Sequence, residues 1–220
     1  MNISKSKFKV KDPISALTHF IGFLAVIPIF IMLMLRAKAE ASELHMIGFA
    51  VFGVSLLMLY GASTIYHTFE LPPEKTNLLR RIDHMMIFVL IAGTYTPICL
   101  VSLHGTWGWT LLVAIWAFAL FGLLLKIFWM GAPRWLSTLI YVVMGWLAVF
   151  AFVPLEKAVS WKGIGMLLAG GIAYTVGAII YGLKKPNIAM LKNFGFHEIF
   201  HVFVLAGSGI HIAFMFQYVL

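Results

Sequence analysis

Uninterrupted apolar runs of bilayer length recur from one end of this chain to the other, and no other feature restricts its fold so much. A helix needs about 20 apolar residues to cross the hydrocarbon layer. Inside that layer every backbone N–H and C=O must find a partner within the protein, so only helices and closed barrels span it. The runs here are continuous and do not alternate, which selects helices. Seven are expected, over 14–35, 44–66, 83–102, 107–129, 135–154, 161–183 and 197–219. The fold class is therefore all-α and integral to the membrane, a seven-transmembrane helix bundle. Only 11% of the residues are charged and 62% are hydrophobic, against ~25% charged in an ordinary soluble domain. Connections are short, with only 67–82 and 184–196 exceeding ten residues. No repeat or linker divides the chain, so residues 1–220 are read as a single domain.

The remaining bulk features are exclusions. The net charge of +8 does not imply nucleic acid, because the cations sit in short flanks beside apolar runs, where they set membrane orientation. One cysteine, Cys99, excludes an intrachain disulfide. The first apolar run, Ile14 to Leu35, is longer than the ~7–15 residues of a signal-peptide core and is expected to be retained as a helix. Pro28 and Pro97 fall inside the first and third runs and are expected to kink them. The glycines of the sixth run (Gly163, Gly165, Gly170, Gly171, Gly177, Gly182) are read as close-packing positions.

Counting Lys and Arg on alternate sides orients the bundle. Lys5, Lys7, Lys9, Lys11, Lys75, Arg80, Arg81, Lys126, Arg134, Lys184, Lys185 and Lys192 fall on one side. Arg36, Lys38, Lys157 and Lys162 fall on the other. This bias places the N-terminus in the cytoplasm and, with seven spans, the C-terminus outside.

Ionisable side chains within such runs are expensive and mark function. His197 and His201 are four residues apart, so on a helix they lie ~400° and ~6 Å apart and project from one face. Ser63 and His67 share the same spacing at the cytoplasmic end of the second run, and Asp83 opens the third. Three spans far apart in sequence thus bring three histidines and a carboxylate to one depth, just under the cytoplasmic surface. These residue types suit zinc: imidazole is a good ligand, and three protein ligands leave a fourth position for water. Zn2+ held by His67, His197 and His201 lowers the pKa of that water to about 7. Asp83 is then placed to act as general base or to orient the water, and Ser63 to hydrogen-bond the water or a carbonyl oxygen as charge develops on it. If Asp83 ligates the metal directly, the site is closed and structural.

The other histidines are expected to make local hydrogen bonds. These are His19, His45, His84 and His104, with His84 pointing away from Asp83 and His19 the best placed to support the metal from behind. His211 lies ~15 Å along the axis from His201 and cannot share its ion. His197-Glu198-Ile199-Phe200-His201 also fits the pattern of zinc proteases, in which the glutamate is the general base. The chain downstream supplies no acidic third ligand, and only His211.

Five segments carry a family likeness: Leu17-Thr18-His19-Phe20-Ile21-Gly22, Ser63-Thr64-Ile65-Tyr66-His67, Arg81-Ile82-Asp83-His84, His197-Glu198-Ile199-Phe200-His201 and Gly207-Ser208-Gly209-Ile210-His211. The chain resembles, over nearly its whole length, the hemolysin III family, the bacterial branch of the progestin and adipoQ receptor superfamily. The resemblance implies seven spans in the bacterial plasma membrane and an intramembrane zinc held by three histidines, matching His67, His197 and His201, with Asp83 and Ser63 in support. It also implies membrane lipids as partners. Some eukaryotic relatives look like ceramide hydrolases, so the expected activity is zinc-dependent hydrolysis of a lipid amide or ester, affecting membrane-lipid homeostasis. The alternatives are a pore-forming cytolysin, and a receptor or sensor whose zinc only staples helices.

Overall fold

A computed structural model of the chain describes residues 9–40, 42–103, 105–186 and 194–220. Lys5, Lys7, His104 and Lys192 lie outside the described residues. Among the described residues there are seven α-helices: α1 Pro13–Glu40, α2 Glu43–Thr68, α3 Pro73–Pro97, α4 Gly105–Phe128, α5 Arg134–Trp146, α6 Phe152–Leu183 and α7 Phe196–Phe214. No strand occurs among the described residues. Large apolar side chains such as Leu17, Ile21, Leu24, Ile31 and Leu35 stand exposed along α1, while Phe49, Phe52, Phe88, Ile115 and Met144 are fully buried. Apolar surface on both the outside and the inside is what a lipid solvent demands. The chain is an all-α integral membrane protein.

Among the described residues six stretches, not seven, are separately long and apolar enough to cross a membrane, because no loop separates the helical residues from Arg134 to Leu183, 50 residues. A single straight helix of that length would measure ~75 Å, more than twice the ~30 Å hydrocarbon layer. The stretch is interrupted twice. Between α5 and α6 the backbone tightens into a 3-10 turn over Leu147–Ala151. Further on, Ser160 leaves helical geometry altogether at φ 63° and ψ 168°. That φ is uncommon for any residue but glycine. The two flanks of Ser160 fold back on each other: Trp146 Nε1 donates to Thr175 Oγ1 at 3.0 Å, and Gly182 packs on Thr138. Tyr95 serves the backbone at the tightened turn, donating to the Gly145 carbonyl at 2.7 Å and accepting from the Ala148 N–H at 3.0 Å. It supplies the partners that an irregular helix needs away from water.

Two further differences from expectation bear on the site. The expected 67–82 loop shrinks to a short link, because α3 starts at Pro73, the position where proline's fixed φ and missing N–H fit a helix best. Asp83 therefore lies ten residues inside α3, not in its first turn. Pro28 sits inside α1 without ending it. Pro97 ends α3 and is followed by a π-helical turn over Ile98–Ser102. Gly48 of α2 is pressed against that corner, where an added Cβ would fall 2.8 Å from Pro97 Cα. The glycines of α6 divide by role: Gly170 and Gly177 face His211 and Phe203 of α7, whereas Gly165 and Gly171 face open space.

Candidate metal centre

One end of the bundle gathers the start of α1, the end of α2 and the start of α7. The chain before α1 is tied to the end of α2 by two backbone bonds, Asp12 N–H to the His67 carbonyl at 2.9 Å and Lys11 N–H to the Thr68 carbonyl at 3.2 Å. Against this seam α7 presents His197 and His201 from one face, as their spacing requires. One nitrogen from each of His67, His197 and His201 lies within 4.8 Å of the others. His67 Nε2 and His197 Nε2 are 3.1 Å apart. Metal–nitrogen bonds of ~2.0–2.1 Å in tetrahedral geometry set ligand nitrogens ~3.3 Å apart, so the trio has roughly the dimensions of a metal site.

The hydrogen bonds behind the rings set which nitrogen is available. His67 Nδ1 is 2.9 Å from Asp12 Oδ2. A carboxylate only accepts, so Nδ1 carries the proton and Nε2 keeps its lone pair. That lone pair faces His197 Nε2, and two nitrogens at this separation need a proton or a cation between them. His201 Nδ1 is 3.3 Å from Thr18 Oγ1, whose own hydrogen goes to the Ser15 carbonyl at 3.0 Å. The hydroxyl therefore accepts from His201 Nδ1–H, again leaving Nε2 free. Such outer partners fix the tautomer and ring orientation of metal-binding histidines. The donor chemistry and the spacing both fit a divalent ion.

The first turns of α1 complete this layer. The His19 ring stacks on His201 with centroids 3.6 Å apart and planes within 6°. Both of its nitrogens are buried without a hydrogen-bond partner among the described residues. Ser15 Oγ donates to Glu198 Oε1 at 2.7 Å, and the Gly195 N–H donates to Glu198 Oε2 at 2.8 Å. Glu198 is thus the cap of α7 and its tie to α1. Both of its oxygens are taken by these donors, which removes support from the protease pattern.

Asp83 and Ser63 reach the trio from the other side. They line a cavity of about 20 Å³ with His19, His84, His197 and His201. That is room for about one water molecule. The Asp83 carboxylate stands outside the cluster of three nitrogens. The Ser63 hydroxyl neighbours it but makes no hydrogen bond of full geometry. His84 borders this cavity too, and its Nε2 lies 3.3 Å from the Tyr181 hydroxyl of α6, a partner distant in sequence and not the local one expected.

Two larger chambers adjoin the cavity. One, of about 500 Å³, is bordered by His67, His197, Arg80, Lys126 and Arg134. The other, of about 130 Å³, runs through the apolar middle past Leu90, Leu111, Leu167, Tyr174, Val204 and His211. Ile87 and Tyr181 border all three spaces.

The structure therefore brings His67, His197, His201, Asp83 and Ser63 to one place. Sequence reasoning missed Asp12, Ser15 and Thr18, the residues that hold the imidazoles and α7. Thr18 lies within the first segment of the family likeness, whereas Asp12 and Ser15 carry no signal beyond their place at the mouth of the first apolar run. His45 bonds locally to Ser42 as expected. His211 bonds the Gly207 carbonyl at 2.8 Å and stacks on Tyr174, far from the ion site.

Comparison with known proteins matches residues 8–212 to the family described as Haemolysin-III related. The chain is 44% identical over 202 residues to the hemolysin-3 homolog of Bacillus subtilis (strain 168), covering 91% of each chain. It is 39% identical over 215 residues to hemolysin-3 of Bacillus cereus, covering 98% of this chain and 94% of that one. It is 25% identical over 235 residues to the adiponectin receptor protein of Drosophila melanogaster, covering 94% of this chain and 50% of that protein.

Proposed function

We propose, for a chain that belongs to the hemolysin III family of multi-pass cell-membrane proteins, that it is a zinc-dependent hydrolase of a lipid amide or ester. The observation that carries this reading is the convergence of three imidazole nitrogens within 4.8 Å, two of the rings buried and that of His197 half-buried, beside a water-sized cavity bordered by Asp83 and Ser63. His67, His197 and His201 are the zinc ligands. Zinc there supplies Lewis acidity, lowering the pKa of a water from 15.7 to about 7 and polarising a carbonyl.

The chain's own groups do the rest. Asp83 takes the proton of the attacking water and returns it to the leaving nitrogen or oxygen as the acyl C–N or C–O bond breaks. The products are a fatty acid and an amine or alcohol. Ser63, whose hydroxyl has no full hydrogen bond, donates to the carbonyl oxygen as negative charge grows there. The 130 Å³ apolar chamber is comparable in size to a ~150 Å³ engineered cavity that accepts benzene. It suits a segment of acyl chain, and Ile87 and Tyr181, which border all three spaces, would flank the scissile bond between that chamber and the histidines. Asp83 outside the ligand cluster supports a fourth position open to water, in preference to a closed structural site.

The topology belongs to the same reading. The reversal at Ser160 makes two crossings of the stretch from Arg134 to Leu183, for seven in all, with the N-terminus and the metal centre on the cytoplasmic side. The test is release of fatty acid from ceramide-like lipids by purified protein. Wild type is expected to release it, and Asp83→Ala to lose at least ~100-fold in rate. Equal release from both overturns the hydrolase. Dye leakage from liposomes that persists after zinc is stripped would favour a pore instead.

A further inference from the structure

The 500 Å³ chamber beside His197 carries positive charge that the protein itself does not neutralise. Arg80, Lys126 and Arg134 border it. Lys126 is only 4% exposed, and its ammonium is held inward by donating to Ser137 Oγ at 2.6 Å. Arg80 Nε is buried without a hydrogen-bond partner among the described residues. Arg134 lies over the Tyr181 ring, 5.5 Å from its centroid. Among the described residues the only ion pairs are Lys11–Asp12 and His67–Asp12, so none of the three cations has a carboxylate partner. The two carboxylates on the chamber wall are engaged elsewhere, Asp12 with His67 and Lys11, Glu198 with Ser15 and Gly195. The sequence of 1–8 and 187–193 contains no Asp or Glu, so those segments hold no counter-ion either.

A lysine that served only to set orientation would reach out to water along its flexible stem. Lys126 is instead turned in and buried. A charge buried without a counter-charge is costly, and the arrangement makes physical sense when an oxyanion completes it. Two guanidinium groups and an ammonium match the geometry and charge of phosphate better than those of a single carboxylate. At about 500 Å³ the space exceeds what a bare ion fills. It also touches the metal cavity and the apolar chamber along the shared wall of Ile87 and Tyr181.

We propose that Arg80, Lys126 and Arg134 form a binding site for the phosphate of a lipid headgroup, which makes the substrate class a phosphate-bearing lipid. The substrate half rests on the hydrolase reading; the binding half does not. The site seats the head, the acyl chain enters the apolar chamber, and the bond between them falls next to Asp83 and Ser63.

The test measures binding with a lipid that cannot be cleaved. Full-length, metal-loaded protein in a neutral maltoside detergent is titrated calorimetrically with the dihexyl-ether analogue of phosphatidylglycerol, with dihexylglycerol lacking phosphate, and with inorganic phosphate. The ether phosphatidylglycerol is expected to bind at least ~10-fold tighter than dihexylglycerol, and Lys126→Met and Arg80→Gln each to lose at least ~10-fold. Lys126→Arg should retain binding, and Lys157→Gln, near the Ser160 reversal, should leave it unchanged. Should Lys126→Met fail to fold, Arg80→Gln and Arg134→Gln decide alone. Equal affinity for the two ether lipids, or undiminished affinity in the charge-removing variants, overturns the proposal. Inorganic phosphate matching the ether lipid overturns the headgroup as the source and leaves a site for the free ion. Phosphate-dependent binding without any fatty-acid release would sink the hydrolase and keep this site. Release indifferent to headgroup charge would do the reverse.

Discussion

The two sides of the candidate metal centre are built on opposite plans. Toward α1, nearly every polar atom has a protein partner: Asp12 holds His67, Thr18 holds His201, and Ser15 holds Glu198. Toward α3, the polar atoms are left open: Ser63 Oγ has no full hydrogen bond, and Asp83 borders a water-sized cavity. His19, stacked on His201 with both nitrogens unpartnered, sits between the two plans. A satisfied network rigidifies what it holds, and an unsatisfied buried polar group costs energy that needs a reason. The closed side behaves as the mounting of the ligands and the open side as the place where something else binds.

That contrast can be broken in four ways. The largest effect is expected from His197→Ala, which should reduce bound metal from about one per chain to near zero, read by elemental analysis after purification. Unchanged metal would place the ion elsewhere. Next comes the mounting. Asp12→Ala should weaken metal affinity ~10–100-fold in chelator competition while leaving the ligands in place. Thr18→Val, which removes a longer and weaker bond, should do less. If Asp12→Ala binds metal like wild type, the closed side is packing and not a mounting.

On the open side, the apolar chamber is tested by Leu167→Trp. Filling it should leave metal content unchanged and slow hydrolysis of long-chain lipids ~10-fold more than that of short-chain ones, since each buried methylene is worth about 0.8 kcal/mol. Equal slowing of both would dissociate the chamber from the acyl chain. The smallest effect belongs to Tyr60→Phe. It deletes a bond to Ser208 Oγ of 2.8 Å within a shared network with Tyr174. A buried hydrogen bond between membrane helices is worth ~0.6 kcal/mol on average. A shift of a degree or two in thermal unfolding, with full metal content, is the expected result.

The same contrast explains what could be read from the residues alone. His197 and His201 announce themselves because helical periodicity makes i and i+4 neighbours whatever the tertiary fold. His67, Ser63 and Asp83 follow because membrane thickness fixes the depth of a residue near the end of a span. Both signals are local or one-dimensional. Asp12 and Thr18 act through contacts set by how α1 tilts against α2 and α7, and no periodicity records that. The start of α3 was hidden by its charges: Glu74, Lys75, Arg80 and Arg81 look like a loop to a hydropathy reading, whereas Pro73 at the first turn marks a helix start. The break at Ser160 falls in the gap left between the expected spans over 135–154 and 161–183, because the charged and polar residues around it interrupt the apolar run; that helix carries on to either side of it was not legible.

The most direct test of the whole account is X-ray absorption at the zinc edge on protein purified without added metal. Stoichiometric zinc with three imidazole nitrogens and one oxygen donor at ~2.0–2.2 Å is expected, with loss of that signal in His67→Ala. Zinc far below one per chain, or an unchanged spectrum in the variant, would contradict it.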